Sequence, residues 1–311
     1  MKKILVTGGA GFIGSHLVDC LAGDPENHVI VLDNLRRGTV TNLEQSLVRI
    51  RFVEGDVRDR ELVEQSMQEV EVVYHLAAQS NVLGAVADLD YSFSTNVLGT
   101  FEILRAAARS GVRQLIFTSS REVYGDPEYI PVPETAPVCP KNAYGASKAA
   151  GEMYCRVLAS PTFKTVILRL ANVYGPRDFD RVIPIFAGQA LSGLPLTLYG
   201  GRQILDFVWV DTVVECLIEA SRSSFPAGPV NVGSGKPTEL LHLAEKVISH
   251  TKSASRLQLA PSREIEVSRF VADTTLLGRV FPARILDDPL HYLPELIASI
   301  RENASNLALR G

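Results

Sequence analysis

Lys3-Ile4-Leu5-Val6-Thr7-Gly8-Gly9-Ala10-Gly11-Phe12-Ile13-Gly14 opens the chain with a short apolar run, a glycine cluster and the start of a helical pattern. Lys3 to Thr7 reads as a buried strand, and Ile13, Leu17, Val18 and Leu21 recur at helical spacing. Gly9-x-Gly11-x-x-Gly14 lies between them, where a tight turn brings backbone N–H groups and a helix N-terminus to a pyrophosphate. The next strand, His28 to Leu32, ends in Asp33, about 20 residues past the last glycine. An acid there hydrogen-bonds a ribose 2′-hydroxyl and repels a 2′-phosphate, so the pattern points to NAD. Arg36 and Arg37 follow closely and could offset that repulsion, which leaves NADP open.

Further along, Tyr144-Gly145-Ala146-Ser147-Lys148 sets a phenol and an ammonium four residues apart, on one face of a helix. A cation under a phenol favours the phenolate and is expected to lower the tyrosine pKa towards neutrality. Such a base can strip a hydroxyl proton while a bound dinucleotide takes the hydride. Either motif alone is weak. Together, in this order, they point to redox chemistry on an alcohol.

Between the two motifs, strand-like runs alternate with helical ones. Arg51-Phe52-Val53 leads to Asp56, Glu71 to Leu76 leads to Ala77-Ala78, and Gln114 to Phe117 leads to Thr118-Ser119-Ser120, with helices expected near 59–69, 91–109 and 143–159. This alternation predicts an α/β fold, a Rossmann-type doubly wound parallel sheet with helices on both faces. Ligands bind such sheets at the carboxyl ends of the strands, so Asp33, Asp56, Ala77 and Ser120 are expected along one crevice. Past Leu170 the texture changes, with Pro176, Pro184, Pro195, Pro226, Pro229, Pro237, Pro261 and Pro282 breaking the chain into short units. The reading is a dinucleotide-binding domain over 1–170 and a smaller mixed α/β C-terminal substrate lobe over 171–311. Residues 205–224 are expected to return to the first domain.

The 311 residues are 46% hydrophobic, enough for a large core, and the net charge of −4 comes with no basic stretch that would mark a nucleic-acid footprint. Cys20, Cys139, Cys155 and Cys216 are scattered without metal-ligand spacing and read as thiols in a reducing cytoplasm. Gly8 and Gly9 cut short the apolar run that might suggest a signal peptide, and no apolar stretch approaches the ~18 residues of a membrane span. A cytoplasmic protein with no metal and no membrane partner is expected.

These motifs resemble the extended short-chain dehydrogenase/reductase family, in its nucleotide-sugar epimerase and dehydratase branch. The likeness also takes in His75-Leu76-Ala77-Ala78-Gln79-Ser80, Asn96-Val97-Leu98-Gly99-Thr100, Val123-Tyr124-Gly125, Arg169 to Pro176 and Asn231-Val232-Gly233-Ser234-Gly235. The resemblance implies that Gly8, Gly11 and Gly14, with Phe12 and Ile13, hold the pyrophosphate. It implies Asp33 and Asn34 at the adenosine ribose, Asp56 and Val57 at the adenine, and Ala77, Ala78, Asn96 and Lys148 along the rest of the cofactor. Ser120 and Tyr144 are implied to meet at the sugar C4 hydroxyl, and Gln79, Asn172 and Arg263 to hold the substrate, Arg263 at its diphosphate. The family's usual phosphate-binding arginine is Leu205 here, and Arg202 is a candidate replacement.

The other departure is Arg121-Glu122 after Ser120. A glutamate there resembles dehydratases and uronate decarboxylases, where it works at C5. The alternative is a salt bridge between Glu122 and Arg121. The leading expectation is an NAD-dependent 4-epimerase acting on a nucleotide-sugar, a UDP-hexose first. The rivals are a dehydratase or decarboxylase using Glu122, and, from another class, an NAD-binding regulator without turnover. Apolar residues on several faces of 91–109 and 143–159, among them Phe93, Phe101, Met153, Tyr154 and Val157, fit the paired-helix homodimer interface the family uses.

Overall fold

The computed structural model describes residues 1–222, 228–281 and 285–308. Its centre is a seven-stranded, wholly parallel sheet. In chain order the strands are β1 (Lys2–Thr7), β2 (Asn27–Asp33), β3 (Ile50–Glu54), β4 (Val72–His75), β5 (Gln114–Ser120), β6 (Lys164–Leu170) and, after four shorter strands, β11 (Pro229–Val232). Across the sheet they run β11-β6-β5-β4-β1-β2-β3.

The period-two pattern of the strands explains both layers. Val6, Val31, Tyr74, Ile116 and Val166 stand in register on one face. There they pack with Leu17 and Val18 of α1 (Phe12–Ala22) and with Val213 and Leu217 of Val210–Arg222. Leu5, Ile30, Val73 and Leu115 stand on the other face, against Val63 of α2 (Arg60–Ser66) and against Ile103 and Leu104 of Thr100–Arg109. A sheet covered on both sides needs near-continuous apolar strands, which these are.

The remaining helices follow in order: α3 (Val82–Ala87), α4 (Leu89–Phe93), α5 (Thr100–Arg109), α6 (Ala143–Leu158), α7 (Val182–Leu191), α8 (Val210–Arg222), α9 (Leu240–Thr251), α10 (Thr275–Val280) and α11 (Leu293–Ala308). A π-helical turn, Ser94–Gly99, joins α4 to α5. The shorter strands are β7 (Asn172–Tyr174), β8 (Leu196–Tyr199), β9 (Ile204–Leu205), β10 (Phe207–Trp209), β12 (Thr238–Glu239) and β13 (Leu257–Ala260). The lobe has its own core, in which Ile183 and Phe186 of α7, Leu198 of β8, Leu243 and Val247 of α9 and Leu293 of α11 are buried together.

A single cut after residue 170 does not describe this chain. α8 packs on α1, as the returning segment was expected to, but the return goes further. β11 pairs with β6 as the seventh strand, and Phe270, Ala272 and Leu277 join the core of the sheet. The cause is geometric: a parallel strand needs a crossover helix before it, and α8 leads back to the open edge of β6. Residues 223–227 and 282–284, which include the end of the expected returning segment, Pro226 and Pro282, lie outside the described residues.

Candidate active site

The strand order reverses between β4 and β1, and a cavity of about 670 Å³ opens there, at the carboxyl ends of the strands. Its cofactor end is made of backbone. Gly8 has φ +72°, and a Cβ on it would lie 2.6 Å from the Ala77 nitrogen. A Cβ on Gly14 would lie 2.1 Å from the Gly8 oxygen, so only hydrogen fits where α1 begins. Gly11, Phe12, Ile13, Ala77 and Ala78 complete this wall. At the end of β2, Asp33 is buried and accepts from the Ala10 and Leu35 backbone N–H groups, each at 2.9 Å. Burial pushes its carboxyl up, against those two donors. A cradle that a methyl would fill, a helix N-terminus and an acid at a strand end fit a dinucleotide pyrophosphate and ribose.

Asn34 and Val57 line the cavity, but Asp56 does not. Burial alone would raise the Asp56 carboxyl; Arg58, bonded through Nε and Nη2 at 2.8 Å each, and Asn34, at 2.8 Å, outweigh it and bring it to about 2. Asn96 also turns elsewhere. Within the π turn its Oδ1 accepts from the Gln79 nitrogen at 2.7 Å, and its Nδ2 donates to the Gln79 oxygen and to Ser147 Oγ. Neither Asn96 nor Gln79 lines the cavity, since that amide is spent holding the loop after β4 to α6. Of the three residues expected at ligands, Asp56 thus pairs with Arg58 and Asn34, and Asn96 with the Gln79 backbone and Ser147.

Ser120, Tyr144 and Lys148, expected as the reacting groups, all line this cavity. Ser120 ends β5, and Tyr144 sits in the first turn of α6, whose N-cap Asn142 accepts from the Gly145 N–H at 2.8 Å. Lys148 follows one turn later with Nζ 5.9 Å from the Tyr144 ring centroid, donating to the Thr118 oxygen at 2.9 Å. Burial lowers the Lys148 ammonium to about 8. The Tyr144 phenol moves opposite to the sequence expectation. Burial pushes it up and Glu122 adds to that, while Arg181, Ser120 and Arg37 oppose them. Helical spacing correctly makes Lys148 a neighbour, but its ammonium is turned to the Thr118 carbonyl.

Glu122 lines the cavity and is buried. Its Oε1 lies 3.0 Å from Arg121 Nη2, and its Oε2 accepts from Asn142 Nδ2 at 2.7 Å. The carboxylate thus ties β5 to the α6 N-cap. His75 is buried between Thr7 Oγ1 at 2.7 Å and Thr100 Oγ1 at 2.9 Å, and burial lowers its imidazole to about 3. This is a satisfied structural histidine. Cys139 is exposed, and no cluster of His, Cys, Asp or Glu among the described residues could hold a metal.

At the substrate end, Asn172 and Leu205 line the cavity, while Arg202 is exposed and does not. Arg263 lies flat on Tyr199, Cζ 3.5 Å from the ring centroid, with Nη1 3.0 Å from Glu266 Oε1. Sequence reasoning missed the segment after β7. Pro176 and Arg177 are fastened to α1 through His16 at 3.0 Å and Asp19 at 2.7 Å. Farther on, Asp180 receives Arg37 and, at 2.9 Å, Asn81 Nδ2. Residues 176–181 form a strap from α1 to the loops after β2 and β4, the charged run Arg177-Asp178-Phe179-Asp180-Arg181 being its one trace in the sequence. It uses Arg37, while Arg36 is paired with Asp88 at 3.3 Å and stacked on Tyr91.

A model of the NAD dependent epimerase/dehydratase family matches residues 4–233. The chain is 40% identical over 257 residues to a protein of Methanocaldococcus jannaschii named putative UDP-glucose 4-epimerase, covering 79% of this chain and 81% of that one. Among solved structures, the UDP-glucose 4-epimerase of Thermotoga maritima with UDP-glucose superposes with a TM-score of 0.91 at 32% identity, over 97% of this chain and 99% of that one. The dTDP-glucose 4,6-dehydratase of Streptomyces venezuelae, solved with NAD bound, gives 0.92 at 30% identity, over 97% and 98%.

Proposed function

The chain belongs to the NAD-dependent epimerase/dehydratase family, and we propose that within it the reaction is 4-epimerisation of a nucleotide-sugar, a UDP-hexose first. NAD supplies a hydride acceptor that later returns the hydride, so it is not consumed. Tyr144 takes the proton of the C4 hydroxyl, Ser120 orients that oxygen, and Lys148 stays cationic at neutral pH to hold the neighbouring ribose hydroxyls. Once C4 is a ketone, the sugar presents its other face and Tyr144 gives the proton back. Arg263, held against Tyr199, grips the diphosphate as a planar fork suited to phosphate oxygens.

The observation that carries this reading over elimination is the bonding of Glu122. A base at C5 must turn a carboxylate oxygen to the sugar, and this carboxylate is oriented by Arg121 on one oxygen and by Asn142 on the other. A dehydratase remains the second reading because Glu122 still lines the cavity and the chain resembles the Streptomyces venezuelae enzyme throughout. A regulator without turnover would not need Ser120, Tyr144 and Lys148 converging in one cavity. Incubation with UDP-, GDP-, CDP- and dTDP-sugars, read by mass and NMR, tests the reading. Unchanged mass with inverted C4 is expected; loss of water or carbon dioxide would replace it with the rival.

The same reading makes the enzyme a homodimer through α5 and α6. Phe93 at the end of α4 and Met153 and Val157 of α6 are 57%, 60% and 77% exposed, beside the Phe101–Tyr154 edge contact between α5 and α6. An apolar patch of this kind marks an interface. A monomer by light scattering at micromolar concentration would remove this part.

A further inference from the structure

One turn of α6 beyond Lys148, and on the same face, stands a carboxylate that the reaction proposed above does not use, that of Glu152. The two side chains bond consecutive residues at the end of β5. Lys148 Nζ donates to the Thr118 carbonyl at 2.9 Å, and Glu152 Oε1 accepts from Ser119 Oγ at 2.5 Å. Arg169 of β6, opposite Ser119 in the sheet register, grips the same carboxylate through Nε at 2.8 Å and Nη2 at 2.6 Å. Glu152 and Arg169 are 3% and 1% exposed, and neither lines the cavity. Arg169 also donates to the Glu134 carbonyl at 3.2 Å, with its Cζ 4.7 Å from the Tyr124 ring centroid. Arg156 approaches Glu152 from the solvent side, at 4.0 Å.

A buried ammonium needs an opposite charge, and Lys148 donates to a neutral carbonyl. Burial lowers it to about 8, and Cys155 and Glu152 oppose that. The Cys155 thiol is itself pushed up by burial and stays uncharged there. Among the described residues, the other titratable groups around Lys148 supply no free anion. Burial raises the Tyr144 phenol and holds His75 of β4 neutral, and Glu122, in the turn after β5, is paired with Arg121. The π turn brings the Asn96 amide, which bonds Ser147. On the 4-epimerase reading, on which this inference rests, Lys148 works as a cation beside the cofactor ribose. We propose that Glu152 acts on the reaction through Lys148, as the buried anion that keeps this side chain an ammonium, with Arg169 and Ser119 holding the carboxylate in place. Glu152 is thus a positioning residue outside the cavity.

NMR titration of the NAD-loaded enzyme labelled with ¹³Cε-lysine, the Lys148 signal assigned through Lys148→Arg, tests this without substrate or turnover. Glu152→Gln keeps the shape, removes the anion and leaves Arg169 unpaired, so the Lys148 midpoint should fall by about one pH unit. Arg169→Met breaks the same pair but leaves the anion, so the midpoint should rise. The alkaline limb of turnover with UDP-glucose should follow the midpoint, in opposite directions for the two variants. Damage to the fold alone would move both the same way. Breaking a buried pair costs stability, whereas Glu152→Met combined with Arg169→Met leaves no charge unpaired and serves where a single variant does not fold. Its midpoint should also lie below wild type, because Glu152 is the charge that shares a helix face with Lys148. A midpoint equal to wild type in Glu152→Gln, or in the double variant, would overturn the inference. A wild type inactive on UDP-glucose would count against the 4-epimerase reading, while the titration still decides whether Glu152 holds Lys148 charged.

Discussion

The two ends of the cavity are made of different material. At the cofactor end the wall is backbone: glycines that admit no Cβ, the start of α1, and the Ala77 nitrogen close against Gly8. At the substrate end it is side chains, Arg263 on Tyr199 among them. A backbone wall constrains residue type at each position, because a methyl added to Gly14 would overlap the Gly8 oxygen. A side-chain wall can be built from many residues, and its effects should be graded.

Between the two ends sits Tyr144, where the largest effect is expected. Tyr144→Phe keeps the ring and removes the proton acceptor, so turnover should fall by about 10²–10⁴ while NAD stays bound. Stopped assays on the purified variant, with its NAD content measured after denaturation, check both halves. Near-normal turnover would put the base elsewhere.

The contrast between the ends is tested next by one substitution in each. Gly14→Ala must displace the loop, at about 1–3 kcal/mol for overpacking, which corresponds to roughly 5- to 150-fold weaker NAD binding. Gly188→Ala, in α7, meets nothing within 4 Å and should leave NAD affinity unchanged. Equal effects would erase the distinction. Stability also has an acid limit at the rigid end. Burial holds the His75 imidazole down to about 3, against 6.5 when unfolded, so between these values the unfolded chain binds the extra proton. Its contribution is complete above pH 6.5 and is lost as pH falls towards 3. Below pH 6.5, wild-type melting temperatures should therefore fall more steeply than those of His75→Gln. Parallel curves would assign the acid sensitivity to other groups.

The same contrast explains what could be read from sequence. The sheet was legible because strands buried on both faces are apolar throughout, and the loop because its glycines are sterically required. Asp56 and Asn96 have the polarity of ligand contacts, but sequence does not record that Arg58 and the Gln79 backbone occupy their polar atoms. Spacing put Lys148 under Tyr144 without revealing the Thr118 carbonyl to which the ammonium points. β11 begins with a proline and carries no period that separates it from a loop, so its place in the sheet follows only from the α8 crossover.

The strap links α1 to the loops after β2 and β4 and should give a smaller effect. Asp180→Asn weakens the bridge to Arg37 across the cavity mouth, a partly exposed pair worth about 1 kcal/mol, so NAD should dissociate roughly fivefold faster. Because a charge pair is lost, the off-rate should also depend less on salt than in wild type. An off-rate identical to wild type at low salt would mean that the strap does not retain the cofactor.

The smallest change in turnover is expected where the two rival reactions differ most. Epimerisation moves only the C4 hydride and the C4 hydroxyl proton, so nothing at C5 has to ionise, whereas elimination across C5 and C6 must break the C5–H bond. Glu122→Gln keeps the shape and the contact to Asn142 but leaves Arg121 without its counter-charge. Losing one member of a buried pair costs up to about 3–5 kcal/mol, so the variant should melt well below wild type. An epimerase should still turn over within about tenfold of wild type, below the general acid–base range. In deuterium oxide its product should carry no deuterium at C5. Stability and turnover therefore separate: a purely structural glutamate lowers the first and spares the second, and a C5 base loses turnover outright. Solvent deuterium at C5 from wild type, together with an inactive but folded Glu122→Gln, would make Glu122 a catalytic base and the enzyme a dehydratase.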